Sequence, residues 1–402
     1  MPSQENYAIR PLNTGDVEQY NALLRYAFQI TEQELSECGW QDDEIKQSKF
    51  PVLERADVLG CFDGNDLVSQ IAVYPLKMNI YGVVYPVGFV TSVCTYPEYS
   101  GRGIMKRLMH QSLEHMRQRQ QPVALLFPYS IPLYRKMGWE IISNKISYTV
   151  KDRQIPSQLQ APGRVHRVNW DNEDFRNLHA QFAAATHGCL FRNALAWEEY
   201  WRWDEDDTVV AIYYDAAGKP SGYMVYLIKD DIMYVKEMIY LTREAQQGLW
   251  EYIHAHDSMI DEVRGSSYYS DPIAFELDDG DIRETIRTYI MGRIVDAEQF
   301  FPKYRCDPTA ENVTIAFEIE DHFLPWNNKT VTVLFHRGEC SLSAAAAKHH
   351  VKLSIATLTA LMLGYKTATK LQRLGRIEGE ERTVRLLDDV LLHEAPYISD
   401  YI

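Results

Sequence analysis

A chain of 402 residues exceeds one ordinary core, so two or three domains are expected. Its 46% hydrophobic and 24% charged content excludes a disordered or fibrous protein. The net charge of −15, with a basic cluster only at 102–107, argues against a nucleic-acid partner and favours cationic small molecules.

The first residues, Met-Pro-Ser-Gln-Glu-Asn, lack the basic and apolar regions of a signal peptide. The most apolar stretch, 353–365, is too short to span a bilayer, so no membrane association is expected. Cys38, Cys61, Cys94, Cys189, Cys306 and Cys340 form no CxxC pair and read as reduced thiols of a cytoplasmic protein. His254 and His256 are two apart on a helix, and His349-His350 is isolated; no metal site is expected.

In chain order, 7–10 predicts a strand. A helix from Asn13 or Thr14 follows, with Val17, Tyr20, Leu23, Leu24 and Ala27 on one face. A second helical region runs to about residue 50. Strands 58–62, 67–79 and 83–95, with turns at Asp63-Gly-Asn-Asp66 and Tyr81-Gly82, predict an antiparallel meander. A glycine turn, a helix over 103–119, a buried strand over 123–127, a short helix ending at Gly138 and a strand over 139–150 complete a mixed α/β unit.

Residues 151–163 read as a linker. Helices 171–185 and 194–203, strands 209–214, 222–229 and 233–241, and a helix over 243–263 then repeat the meander-then-helix order of 58–118, which suggests an internal duplication. From about residue 291, strands 313–320 and 330–336 and helices 354–363 and 368–374 predict a small α+β domain.

The glycine turn carries the chemistry. Ser100-Gly-Arg-Gly103 lies between a strand and a helix N-terminus, where free N–H groups and the dipole favour anions. Gly101 and Gly103 permit close backbone approach, and Arg102, Lys106 and Arg107 add positive charge, so a diphosphate-bearing cofactor is expected. The dinucleotide fingerprint fails at Lys106, and no G-K-[S/T] follows. In the second copy, Thr242-Arg-Glu-Ala-Gln246 has no glycine and puts Glu244 where a phosphate would sit; that copy is not expected to bind the cofactor.

Ser100-Gly-Arg-Gly-Ile-Met105 resembles the [Q/R]-x-x-G-x-[G/A] acetyl-CoA motif of the GNAT acetyltransferases, with Ser100 and Met105 departing from it. Leu-Tyr-Arg-Lys-Met-Gly-Trp139 resembles their Y-x-x-x-G-[F/Y/W] segment. Over its whole length the chain resembles the Eis ("enhanced intracellular survival") aminoglycoside N-acetyltransferases; 291–296 and Ala395-Pro-Tyr-Ile-Ser-Asp-Tyr-Ile402 are similar to that family's last domain. The implied fold is α/β (α+β): a catalytic GNAT domain over 1–150, a degenerate GNAT-like domain over 151–290, and a sterol-carrier-protein-like domain over 291–402.

The resemblance implies acetyl-CoA as acetyl donor, no metal, and a homohexamer. It places the pantetheine arm along Val93, Cys94 and Thr95, and the pyrophosphate on the N–H groups of Gly101, Arg102, Gly103, Ile104, Met105 and Lys106. Tyr129 and Ser130 become further cofactor contacts, Tyr134 the general acid and the α-carboxylate of Ile402 the general base. A tyrosine with an ordinary pKa of about 10 is protonated at neutral pH and suits the acid role; packing on the sheet is the alternative for Tyr134. A terminal carboxylate, ordinarily near 3.5, needs desolvation or acts by orienting the amine.

Phe28, Trp40, Phe127 and Asp400 are candidates for an amine pocket, against plain packing or a solvated tail. Cys94 has no His or Asp partner at a recognisable spacing, which favours direct transfer over an acetyl-cysteine. The expected substrates are aminoglycosides or similar polyamines, at one or several amines. Protein lysines are the alternative, and a non-enzymatic lipid- or partner-binding module is a third reading.

Overall fold

The computed structural model describes residues 7–402 apart from 38, 158 and 204–206. Cys38 and the segment 1–6 therefore lie outside the described residues; the other five cysteines are buried free thiols. Among the described residues no helix is long and apolar enough to cross a membrane.

The chain opens with β1 (Ala8–Pro11), β2 (Asp57–Asp63), β3 (Asp66–Ile80), β4 (Val83–Thr95), β5 (Val123–Leu126), β6 (Glu140–Ile141) and β7 (Asn144–Lys151). The long β3–β4 hairpin closes on Tyr81 and Gly82, both at positive φ (49° and 82°), the turn chemistry that matches strand twist. Both faces of this sheet are covered. Leu108, Met109, Leu113 and Met116 of helix Ile104–Gln118 pack on one side, and Tyr20, Leu23 and Leu24 of helix Val17–Phe28 on the other. Between them β3 is buried on both faces over much of its length. The second helical region is three short helices, Glu32–Glu37, Asp42–Gln47 and Phe50–Arg55.

The middle of the chain supplies β8 (Arg164–Val168), β9 (Leu190–Phe191), β10 (Val209–Tyr214), β11 (Pro220–Lys229), β12 (Ile232–Tyr240), β13 (Glu262–Ser267), β14 (Arg283–Thr288) and β15 (Met291–Ile294). The two large sheets do not follow the expected boundaries. The first runs β1-β2-β3-β4-β5-β15-β6, with β9 paired to β3; the second runs β14-β7-β13-β12-β11-β10-β8. Thus the stretch expected as one strand over 139–150 splits, β7 leaving for the second sheet, while β15 enters the first instead of opening the last domain.

The exchange is pinned where the two connections pass. The amide of Ile142 donates to the Ile290 carbonyl (3.0 Å), that of Tyr289 to the Ser143 carbonyl (3.0 Å), and that of Ile290 to the Ser143 hydroxyl (3.2 Å). These bonds satisfy buried backbone groups at the break in both strands.

The last unit holds β16 (Val313–Glu320), β17 (Thr330–His336), β18 (Glu339–Leu342), β19 (His349–Ser354) and β20 (Ile377–Gly379) in the order β18-β17-β16-β19-β20. Its helix Ile355–Met362 is buried on every side, as an apolar helix must be, and lies against β15 and β6. Arg293 on β15, wholly buried, pairs with Asp321 at 2.5 Å and donates to the Met137 carbonyl. The last unit is thereby fastened to the first sheet beside the turn that follows Tyr134.

Candidate active site

Strands β4 and β5 run parallel and pair from Val87/Val123 to Val90/Leu126. Beyond Val90, β4 continues to Thr95 held by β3 alone. The departure coincides with a bulge: Ser92 takes a positive φ of 55°, and Gln70 and Ala72 of β3 oppose Cys94 and Thr91, skipping a residue. A bulge bends its strand away from the regular ladder, and because β5 ends at Leu126 the edge of β4 beyond Val90 has no strand partner on that side. Tyr20 bonds the Ser92 hydroxyl (3.0 Å), and Ser69 donates to the Cys94 carbonyl (2.9 Å), which fixes the bent segment from behind.

Val93 and Thr95 are partly buried on this segment, whereas Cys94 turns its thiol into the core. Burial pushes that thiol well above its usual range, so it is no nucleophile at neutral pH.

Next comes the turn Ser100–Gly103 and helix Ile104–Gln118. Gly101 and Gly103 both have φ of +76°, and a Cβ built on either meets nothing within 4 Å. Glycine is thus required by conformation, and the space above it is open. Gly103 is the N-cap and supplies no side-chain acceptor to the helix N–H groups, leaving them for an anion. The side chains of the cluster face elsewhere. Arg102 donates to the Tyr7 hydroxyl (2.5 Å) and the Glu98 carbonyl (3.1 Å), and Arg107 donates to the Tyr7 carbonyl (3.3 Å). Lys106 stands 5.9 Å from the Phe323 ring. The guanidiniums brace the turn, and the backbone and helix dipole form the cradle.

After β5, helix Ile131–Arg135 begins at Ser130, which is partly exposed and makes no cap bond; Tyr129 is 98% exposed. Tyr134 is buried, edge-on to Trp139 at 6.3 Å, and burial pushes its hydroxyl up to about 12. It stays protonated throughout the neutral range, as a proton donor must.

The C-terminus reaches the same region. The Phe127 ring, directly after β5, lies 5.0 Å from Tyr401 and 5.6 Å from Tyr289, whose hydroxyl donates to the carbonyls of Ser399 (3.4 Å) and Asp400 (3.3 Å). Ile402 is partly buried against the core. Phe127, Tyr289, Ser399 and Tyr401 line one side of a cavity of about 580 Å³ whose other wall is the second sheet.

Of the four expected pocket residues, only Phe127 lines this cavity. Asp400 is corrected: its carboxylate is 3% exposed and paired with Arg192 at 2.6 Å, so it holds the tail and does not face an incoming amine. Phe28 ends its helix half-exposed, and the Trp40 indole donates to the Arg202 carbonyl (2.9 Å); neither belongs to the lining.

Comparison with known families matches a GNAT acetyltransferase domain to residues 8–142, a second GNAT acetyltransferase domain to 188–294 and a sterol carrier protein domain to 297–399. The chain is a tandem GNAT N-acetyltransferase. Its order of domains is Eis-like. An uncharacterized N-acetyltransferase of Streptomyces avermitilis is 23% identical over the full length of both chains. Among solved structures, a probable N-acyltransferase of Enterococcus faecalis is 26% identical, covering 99% of this chain and 100% of that one with a TM-score of 0.91. Eis1 of Mycobacterium abscessus shares the fold at 19% identity, 98% and 100% coverage and a TM-score of 0.81.

The corresponding turn of the second GNAT domain is built differently. Thr242 caps the helix Arg243–His254 by accepting from the Ala245 amide (3.1 Å), and Glu244 accepts from the Tyr213 hydroxyl (2.8 Å). One N–H of the first turn is thus taken by a side chain, and a carboxylate stands in the same turn. What this GNAT domain supplies instead is a wall of the cavity and the anchor Arg192–Glu237, residues that no local pattern announces: Arg192 simply follows the apolar run Cys189-Leu-Phe191.

Proposed function

We propose that this N-acetyltransferase moves an acetyl group from acetyl-CoA directly to a primary amine of a small molecule held between Phe127, Tyr401 and the second sheet. The observation that carries the reading is the unpaired edge of β4 beyond Val90, followed by an unobstructed glycine turn. Backbone along Val93–Thr95 suits the pantetheine arm, and the first turn of helix Ile104–Gln118 suits the pyrophosphate. Acetyl-CoA, when bound, supplies the acetyl group as a thioester.

In the reaction the amine nitrogen bonds to the thioester carbon and the C–S bond breaks. Tyr134 gives its proton to the departing sulfur, and the carboxylate of Ile402 takes the proton lost by the amine. Tyr134 then recovers its proton from solvent. The arginine anchor at Asp400, two residues from the terminus, supports a positioned terminal carboxylate.

Aminoglycosides and similar polyamines are the first substrates to test, since the domain order is Eis-like and the overall negative charge suits them. The decisive experiment compares the native chain with one extended by three C-terminal residues, assayed for CoA release with acetyl-CoA and tobramycin or another primary amine. Lost turnover with retained acetyl-CoA binding is expected; undiminished turnover removes the terminal carboxylate from the mechanism.

A further inference from the structure

The wall of the cavity opposite Phe127 and Tyr401 has a charge that the whole-chain value of −15 does not foretell. The cavity joins a second one of about 610 Å³ through shared lining at Ser147, Trp203 and Ser266, forming one groove across the second sheet. Among the described residues, five cations line the groove: Lys145, Lys236, Arg264, Arg283 and Arg287. Two carboxylates do, and both are engaged already. Glu199 accepts from Arg202 (2.7 Å) and Tyr74 (2.7 Å), and Glu237 from Arg192 (2.6 Å) and Tyr223 (2.7 Å). The acidic run 204–206 after Trp203 lies outside the described residues.

The register makes the arrangement specific. On β7 and β14, Lys145 stands directly opposite Arg287, Ser147 opposite Thr285, and Thr149 opposite Arg283. Like charges directly across a strand pair repel, and two hydroxyls lie next along the same face. Lys145 is half-buried between the rings of Tyr268 and Tyr289, each 5.8 Å from its ammonium, and burial lowers its pKa. Among the described residues neither Lys145 nor Arg287 has a carboxylate partner. Arg287 is exposed, so the two cations together offer an anion a site on the floor of the groove.

We infer that the acceptor amine carries an anionic group, a carboxylate or a phosphonate-like oxyanion, which Lys145 and Arg287 bind while the amine points back towards Phe127. This rests on the acetyl-transfer reading above and narrows it away from polycations.

The test uses the full chain, acetyl-CoA and four amines of matched length: pentylamine, 1,5-diaminopentane, 5-aminopentanoate and 4-aminobutylphosphonate. Expected is a kcat/KM at least about tenfold higher for one of the two acids than for pentylamine, with the diamine lowest. Which acid leads tells carboxylate from phosphonate. Lys145→Gln and Arg287→Gln should each reduce the acid-to-pentylamine ratio about tenfold. A diamine as good as the acids, or a ratio that the variants leave unmoved, overturns the inference while acetyl transfer stands. If no amine is acetylated, calorimetry with glutarate decides: binding that weakens about tenfold in Lys145→Gln retains the anion site and removes the transfer reading, and absent binding removes the anion site too.

Discussion

The Arg192 guanidinium stands 2.6 Å from Asp400 and 2.6 Å from Glu237, with all three side chains closed off from water. One cation thus serves two carboxylates, and it serves them unequally. Glu237 takes two of its N–H groups plus the Tyr223 and Ser399 hydroxyls, and its pKa falls to about 2. Asp400 takes a single bond, leaves Oδ2 unpartnered, and is raised by burial. Replacing Arg192 by Met would strand both carboxylates and is expected to cost about 3–5 kcal/mol, with loss of turnover as the tail comes free. Asp400→Asn removes only the surplus negative charge, and its stability should stay within about 1 kcal/mol of native. Denaturant unfolding and CoA release measure both. A matching collapse in Asp400→Asn would show that the tail depends on its charge.

Gly101 and Gly103 separate folding from binding. Alanine at either position pays for a left-handed backbone, about 1–2 kcal/mol, but its methyl group meets no protein atom. That methyl enters the space above the turn. Acetyl-CoA affinity by calorimetry should therefore fall tenfold or more while the melting temperature drops by a few degrees; unchanged affinity would move the pyrophosphate elsewhere.

Tyr134→Phe keeps the ring that packs edge-on to Trp139 and removes the proton. The expected result is a kcat lower by about 100-fold with little change in acetyl-CoA affinity. Because the Tyr134 hydroxyl titrates near pH 12, the native enzyme should show no alkaline limb from this group between pH 7 and 10. Native-like turnover in the variant would reduce Tyr134 to packing.

His187 gives the fold an acid sensitivity. Stacked on Tyr81 at 3.8 Å, its Nδ1 accepts from the Tyr81 amide (3.2 Å) and its Nε2 donates to the Leu363 carbonyl (3.1 Å). Burial lowers its pKa from 6.5 to about 4. The unfolded chain binds the proton more readily between those values, so stability is full above pH 6.5 and falls as the pH drops towards 4. The loss from this group by pH 4.5 is about 2–3 kcal/mol. His187→Gln should flatten the slope of unfolding free energy against pH over that window; an unaltered slope would assign it to other groups.

Much of the first half is readable from local chemistry. Residues 58–95 are rich in apolar and β-branched residues and carry hairpin turns, the glycine pair marks a left-handed turn before a helix, and the second copy has Glu244 and no glycine at the matching turn. What escapes such reading is held by distant partners. The break at Ile142-Ser143 has no glycine or proline, and Met291-Gly-Arg-Ile294 looks like the start of whatever follows it. β14, Arg-Glu-Thr-Ile-Arg-Thr, is largely exposed and shows no apolar face. Arg192 meets Asp400 only through the fold, and Lys145 meets Arg287 only once β7 has crossed to the other sheet.

That crossing has a consequence for how such a chain can change over time. β15 lies between β5 and β6, yet the chain reaches it only after completing the second sheet; β7, next to β6 in sequence, lies between β13 and β14. A deletion of the second copy would take the partners of β7 with it and return the chain to the wrong side of β6. Neither half is a spare part. The first sheet is completed only by a strand that the chain reaches after passing through the second.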